Sequence, residues 1–285
     1  MGEKIDFGLT LPNKNEEIKA PVQIFSEKDI EEIIKQSTER KATKKLVCLV
    51  IGQDNTAKTG VVFEYLEGLE KPSLVIDVDG GCEPSKASYH ANSDKIIIVD
   101  PVEMITTETD VEIDYHKTIA KVKAIIKYAK IHHEKYSAIV IDGVSTLLKF
   151  AEYLMRIDKN LAPDGGVQMR YWIQRNKRFT EILDAAKSIP QIDKIFIGHE
   201  DFIVGKDAAA VKVKTNQMIH QRIICRREIE KDEKGKSVGN GNVTFKAIID
   251  KSKYNMLMEG KQYEIGGTKE GKVHWSAKQV WEGLK

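Results

Sequence analysis

The sequence has few cysteines, little net charge and no long apolar run, and each shortage excludes something. Cys48, Cys82 and Cys225 are isolated in 285 residues, with no C-x-x-C pair, which argues against a disulfide framework and against a zinc site. A reduced, cytoplasmic compartment is expected. Lys and Arg number 45 against 43 Asp and Glu, a net charge of +2, although 31% of the residues are charged. The whole molecule therefore has no strong electrostatic preference, and any nucleic-acid surface must be local. The first residues, MGEKIDFGLTLPNKNEE, contain no apolar signal core, and no run approaches the length that spans a bilayer. No membrane association is expected. At this length one large α/β domain with extensions is the preferred organisation, and no internal repeat is present.

What is there begins with KLVCLVIGQDNTAKTGVVFEYL, residues 45–66. An apolar run of strand length, Leu46 to Ile51, ends at Gly52, and a short polar loop delivers Lys58-Thr59 at the start of a helical pattern. The spacing fits the phosphate-binding pattern G-x-x-x-x-G-K-[ST] except at Ala57, where Gly is usual. Such a loop converges backbone N–H donors on a polyphosphate, and the dipole of the following helix adds partial positive charge. Gly52, Asn55, Thr56, Ala57, Lys58, Thr59 and Gly60 are the candidate nucleotide-binding residues. Lys58 would bring a full charge to the β- and γ-phosphates, and Thr59 a hydroxyl to Mg²⁺. At Ala57 a methyl restricts close approach, while helical dihedrals there would suit alanine. An ordinary strand-turn-helix with a chance lysine is the plain alternative.

Around this stretch the pattern alternates. Residues 1–24 lack periodicity and read as an extended arm. Ser26 and Asp29 resemble a capping box ahead of a helix over about 27–38 with the apolar stripe Ile30, Ile33 and Ile34. The lysine-rich 38–45, TERKATKK, reads as a solvated linker. Strands are expected at 73–78, 94–100, 137–141 and 194–198, and helices over about 114–135, 146–157 and 168–188, which argues for a parallel sheet covered on both faces. Ligands of such sheets sit beyond the carboxyl ends of the strands. Gly52, Asp79, Asp142 and His199 all lie there. Further on, 205–215 reads as a mobile loop, 218–228 and 242–249 as strands, and 230–242 as a hairpin turn or loop.

Asp142 follows the apolar run AIVI, as suits a carboxylate that holds Mg²⁺ through water, though an Asp at a strand end also caps turns. Mg²⁺ needs few protein ligands, so Thr59 and Asp142 would suffice. Asp79 could orient or deprotonate an attacking water, with Asp77 pointing to the opposite face; DVDGG can equally be a turn. His199 could sense a γ-phosphate or be a satisfied strand-end histidine. Arg170, Arg175, Lys177 and Arg178 read as a solvated helical face, and His132, His133, Trp172, Trp275 and Trp281 as core packing or surface anchors.

The series GQDNTAKT, VIDVDGG, IVIDGVS, IFIGHED and FKAIIDKSKYNM resembles the RecA-like ATPase core over about Lys45 to Ile265. It is most similar to small phage and archaeal-virus recombination ATPases linked to single-strand annealing, distant relatives of RadA. The resemblance implies a P-loop NTPase of class α/β: a RecA-like, mostly parallel sheet with helices on both faces, an N-terminal arm and helix (1–44), a core (45–265) and C-terminal antiparallel strands with an extension (266–285). It implies ATP and Mg²⁺ as cofactors, a viral or phage origin, a homo-oligomer, ring or filament, and single-stranded DNA as partner. In that family the strand after the phosphate-loop helix ends in a catalytic Glu, where Asp79 stands here. Lys251 and Lys253 resemble a paired-lysine element that completes a neighbour's site, although surface strand ends commonly carry lysines. The DNA-facing loops map to 156–170 and 202–215, with Lys159, Lys206, Lys212 and Lys214 for phosphates and Phe202 for stacking.

The expectation is a Mg-dependent ATPase acting on DNA during recombination, annealing or replication. Catalysis would fall to Lys58, Asp79, His199, Lys251 and Lys253. The rivals are a DNA-packaging or helicase motor, a nucleotide switch or scaffold that hydrolyses little, and a small-molecule kinase, for which no lid segment is evident.

Overall fold

The computed structural model describes residues 26–39, 45–106, 109–162, 165–199, 219–230, 242–269 and 272–284. The chain divides after Ala42 into two compact units. In the first, α1 (Glu27–Glu39) begins at the expected capping box: the Ser26 amide donates to Asp29 Oδ2 at 2.7 Å and the Asp29 amide donates back to Ser26 Oγ at 3.2 Å. The aspartate thus does the work of the usual glutamate. Ile30 and Ile34 of its apolar stripe are exposed. The arm, 1–24, lies outside the described residues.

The second unit is built on β1 (Val47–Gly52), whose six residues are all buried. Leu49 and Ile51 join one core cluster and Cys48 and Val50 the other, so the strand is apolar on both faces, as a central parallel strand must be. After it come α2 (Lys58–Glu67), β2 (Ser73–Asp77), α3 (Cys82–Tyr89), β3 (Ile96–Val99), a small hairpin of β4 (Met104–Thr106) and β5 (Val111–Ile113), and α4 (Tyr115–Ile131). Next are β6 (Ala138–Asp142), α5 (Val144–Asp158), α6 (Met169–Lys187) and β7 (Asp193–His199). The chain closes with β8 (Gln221–Ile229), β9 (Val243–Ser252), β10 (Gln262–Lys269), β11 (Lys272–Trp275) and α7 (Lys278–Glu282).

The main sheet runs β11-β10-β9-β8-β1-β7-β6-β2-β3. From β8 to β3 every pairing is parallel, and β9, β10 and β11 are added antiparallel. Residues of α4, α5 and α6 pack with one core cluster, those of α2 and α7 with the other. The α/β class, the mostly parallel sheet and its helices on both faces are therefore as read from the pattern. The boundary expected between residues 265 and 266 falls inside β10. Buried Val280, Trp281 and Leu284 fill the same core as α2, so residues 266–284 complete the domain instead of extending it.

Some elements depart from expectation. Asp77 does not merely alternate away; it accepts from the amides of Gly80, Gly81 and Cys82 and so starts α3. The charged face expected on α6 is partly paired: Arg175 is buried against Glu152 of α5 at 3.4 Å, and Arg178 pairs with Asp158. The Glu230 amide donates to the Asn242 carbonyl at 2.9 Å where β8 ends and β9 begins, and 231–241, expected as a hairpin turn or loop, lie outside the described residues. The loop at 205–215 lies outside the described residues.

Candidate nucleotide-binding site

The parallel strands end on one edge, and their register sets which tips meet there. Gly52 is level with His199, and Asp77 with Asp142. The loop after β1 turns over this edge. Gly52 has to be glycine, since a Cβ there would lie 2.5 Å from Thr56 Oγ1 and 2.6 Å from the Cys225 carbonyl oxygen. Asn55 and Ala57 take positive φ, 55° and 64°. For Ala57 this corrects the expected helical conformation: it occupies the left-handed region that glycine fills without cost. No side chain caps the start of α2. Its first N–H groups are the kind that an anion satisfies.

Lys58 is buried and its Nζ donates to the Gln53 carbonyl at 2.7 Å, as does the Thr56 hydroxyl. Burial lowers the ammonium's pKa, while Cys225, Asp142, Asp54 and Asp79 act to raise it. Thr59 Oγ1 donates to Asp142 Oδ2 at 2.8 Å, and the Cys82 thiol donates to the same oxygen at 3.2 Å. Burial pushes the Asp142 carboxyl up to about 6 in spite of these two donors. The Cys82 thiol is itself pushed upward by burial and by Asp142, which keeps it a neutral donor.

A second pair lies beside the first. His199 Nε2 is 3.0 Å from Asp79 Oδ2, and its Nδ1 is 2.7 Å from Asp54 Oδ1 of the loop. An imidazolium satisfies both carboxylates with its two N–H groups, and the Asp79 bond raises the histidine's pKa. Burial would raise Asp79, but hydrogen bonds from His199 and Thr146 outweigh it and hold the carboxyl below its usual range. Gly143, at φ 98°, makes this possible: a Cβ there would lie 2.6 Å from Asp79 Oδ1.

These groups line one cleft of about 760 Å³, within the range of small-molecule sites. It takes in Asn55, Thr56, Ala57, Lys58, Thr59, Gly60, Asp79, Asp142 and His199, with Gly52 beneath the loop. One hydroxyl and one carboxylate side by side suit a hard cation that keeps most of its water and shares phosphate oxygens. Among the described residues no cluster of three or more His, Cys, Asp or Glu could hold a metal by itself. Thr59 and Asp142 therefore fit Mg²⁺ carried in with a nucleotide.

The family described as AAA domain matches residues 44–222, more than half of the chain. The chain belongs to the AAA domain family. As an AAA domain protein it has a P-loop ATPase-type fold, and membership points to nucleotide binding and hydrolysis, usually with Mg²⁺. Among curated proteins none matches it. The matched span of the AAA domain runs from three residues before β1 to the second residue of β8, so it holds the loop, Asp79, Asp142 and His199 but not β9, β10 or β11.

Other predicted residues fall elsewhere in this AAA domain protein. Lys251 is level with Arg222, and the Lys253 amide donates to His220, which in turn donates to Val47 at the start of β1. Both lysines thus lie at the opposite end of the sheet from the loop. Lys159 caps α5, with its Nζ 5.6 Å from the Tyr171 ring centre. Phe202, Lys206, Lys212 and Lys214 lie outside the described residues. No described helix is long and apolar enough to cross a membrane.

The cleft also holds Asp54 and Phe245, which sequence reasoning passed over, and Trp275, read there as core packing or a surface anchor; Cys82 is buried behind Asp142. Asp54 was inside the phosphate loop all along. Trp275 reaches the cleft through the pairing of β10 with β11, which sets it opposite Gly266.

Proposed function

We propose that the protein is a Mg-dependent, RecA-like ATPase acting on single-stranded DNA in recombination, annealing or replication. The observation that carries the ATPase part is the pair of contacts Thr59–Asp142 and Asp79–His199 in one cleft beneath a phosphate loop. The RecA-like part is supported by the three antiparallel strands that continue the sheet beyond β8 and by the sequence resemblance. DNA and the oligomer, ring or filament, rest on the resemblance alone.

On this reading the α2 amides and Lys58 bind the phosphates, and Thr59 and Asp142 hold Mg²⁺. The cation would neutralise charge on the phosphate oxygens. Asp79 orients a water and takes its proton as the water oxygen bonds to the γ-phosphorus and the bond to the bridging oxygen breaks. Its depressed pKa keeps Asp79 ionised, and His199 reports the γ-phosphate. Lys251 and Lys253 stand at the sheet end away from their own cleft, which suits action on a neighbour's nucleotide. Lys159, Phe202, Lys206, Lys212 and Lys214 would face the DNA strand. A switch that hydrolyses little is favoured by one feature: His199 is engaged by two carboxylates at once.

The test is nucleotide binding and turnover for the parent and Lys58→Ala, titrated with single-stranded DNA. Loss of the buried ammonium should weaken MgATP by about a hundredfold, the scale of a charged hydrogen bond. DNA should change the parent's turnover in a salt-dependent way. Tight binding without turnover under any DNA condition would leave the switch.

A further inference from the structure

The cleft does not end at the phosphate loop. On the far side of β1 from Asp79 it is walled by Phe245 of β9 and Trp275 of β11, both half-buried. Their register is informative. Phe245 is level with Gly266 of β10, and Gly266 with Trp275, so the three positions form one row across three strands. Cross-strand neighbours share a face. The middle position has no side chain, and with strands about 4.8 Å apart the two aromatic residues stand about 10 Å from each other along the row.

The indole is held in place. A Cβ on Gly266 would lie 2.6 Å from Trp275 Cε3, and one on Gly60 would lie 3.1 Å from Trp275 Cη2. The ring is therefore laid over two glycines, one on β10 and one in the first turn of α2, directly after Thr59. Its Nε1 donates to Glu64 Oε2 at 3.2 Å, one turn further along the same helix. Gly60 fixes the tryptophan to the phosphate loop, and Glu64 fixes the plane of the ring.

The cleft thus has a polarity. At one end are the carboxylates, the imidazole and the ammonium; at the other are aromatic surfaces. A nucleoside triphosphate has the same polarity, a polyanion joined through a sugar to a flat π-system. We propose that Trp275 and Phe245 form the nucleobase platform of this site, with the base stacked on the indole. This rests on the nucleotide reading above and adds a subsite to it. The indole N–H is engaged by Glu64, so what Trp275 presents to a ligand is its ring. Two aromatic side chains recognise a base by its face, so the platform takes purines as a class without choosing between adenine and guanine.

The experiment compares MgATP, MgGTP, MgCTP and Mg-tripolyphosphate by calorimetry, together with tryptophan fluorescence, on the full chain. Variants are Trp275→Leu, which keeps apolar cover over the glycines but removes the π-face, Trp275→Phe, which restores a smaller one, and Lys58→Ala. Trp275→Leu should weaken MgATP about tenfold or more and leave tripolyphosphate within about twofold, with Trp275→Phe between. MgGTP should match MgATP within about threefold, and MgCTP should bind more weakly, because a purine offers the larger face. The fluorescence change with MgATP should vanish in Trp275→Phe although Trp172 and Trp281 remain. Equal losses of MgATP and tripolyphosphate in Trp275→Leu would show a merely structural tryptophan and overturn the proposal. So would unchanged MgATP affinity, or strong selection of ATP over GTP. If the parent and Lys58→Ala bind tripolyphosphate alike, the phosphate site itself fails, and the platform falls with it.

Discussion

On the β7 side of β1 the cleft is built from strand tips, whereas on the β9 side it is built from strand faces. Parallel strands all finish at the same edge, so β7, β6 and β2 can each offer the residue where they end or turn: His199, Asp142 and, just beyond β2, Asp79. Antiparallel strands cross that edge in both directions, and β9 and β11 instead present residues set by register, Phe245 and Trp275. The difference is one of chemistry as well as geometry. Tips carry backbone groups and charges that suit phosphate and cation; faces carry packed apolar rings. The family match follows the same line, covering the tips and ending before the faces. The strand tips thus lie in the part of the chain that matches the AAA domain family, and the two aromatic faces lie outside it.

The comparison breaks most visibly if the tips prove to bind instead of react. Asp79→Asn should lower ATP turnover by about 10²–10⁴-fold, the usual contribution of a positioned base, with MgATP affinity nearly unchanged. Single-turnover hydrolysis and calorimetry give the two numbers, and a matching fall in affinity would undo the distinction. A smaller effect concerns what charge costs the fold. Asp142 has its carboxyl pushed up to about 6 from 3.8 by burial, so the protonated form is favoured in the folded chain. Its contribution to stability is present below about pH 4 and is lost as the pH rises through about 6. Asp142→Asn escapes that loss and should be more stable than the parent by about 3 kcal/mol above pH 7, from a shift of about two units. The two chains should converge near pH 4. Thermal melts without nucleotide across that range measure it, and a variant less stable at pH 8 would refute the burial argument.

The smallest effect is in the loop that both flanks share. Ala57 sits at φ 64°, a conformation that costs an L-residue about 1–2 kcal/mol. Part of any gain from glycine is offset by its greater freedom in the unfolded chain. Ala57→Gly should therefore stabilise by about 0.5–1 kcal/mol in denaturant melts. A loss instead would mean that the alanine methyl, packed at the edge of the α2-side core, matters more than its dihedral.

The same division decides what could be read without coordinates. Buried parallel strands are continuous apolar runs, and the polar residue that ends each is conspicuous, so β1, β2, β6 and β7 and the tips Gly52, Asp142 and His199 could be read directly. Thr59 beside Asp142 followed from spacing alone. By contrast α3, CEPSKASY, has no apolar stripe and starts where Asp77 accepts from the amides of Gly80, Gly81 and Cys82, a local bond that no apolar period announces. The three-residue strands β4 and β5 are too short to show a period, and their Met104, Ile105 and Val111 are exposed. Arg175 reads as a surface charge until α5 brings Glu152 to it. The left-handed Ala57 could not be inferred, because the pattern gives a residue and not a dihedral. Trp275 acquires its place through pairing with Gly266 and contact with Gly60, 215 positions earlier in the chain, and no local window contains both.

The position of β1 has a consequence for how the molecule breathes. With β8 on one side and β7 on the other, its amides and carbonyls are tied on both edges, while β3 and β11 are the outermost strands of the sheet among the described residues. Local openings start at such margins and reach the middle last. Fraying of β11 would carry Trp275 away from α2 while the phosphate loop stayed anchored, so grip on one end of a bound molecule can relax without loss of the other. Release would then be a peeling motion that begins at the sheet's margin.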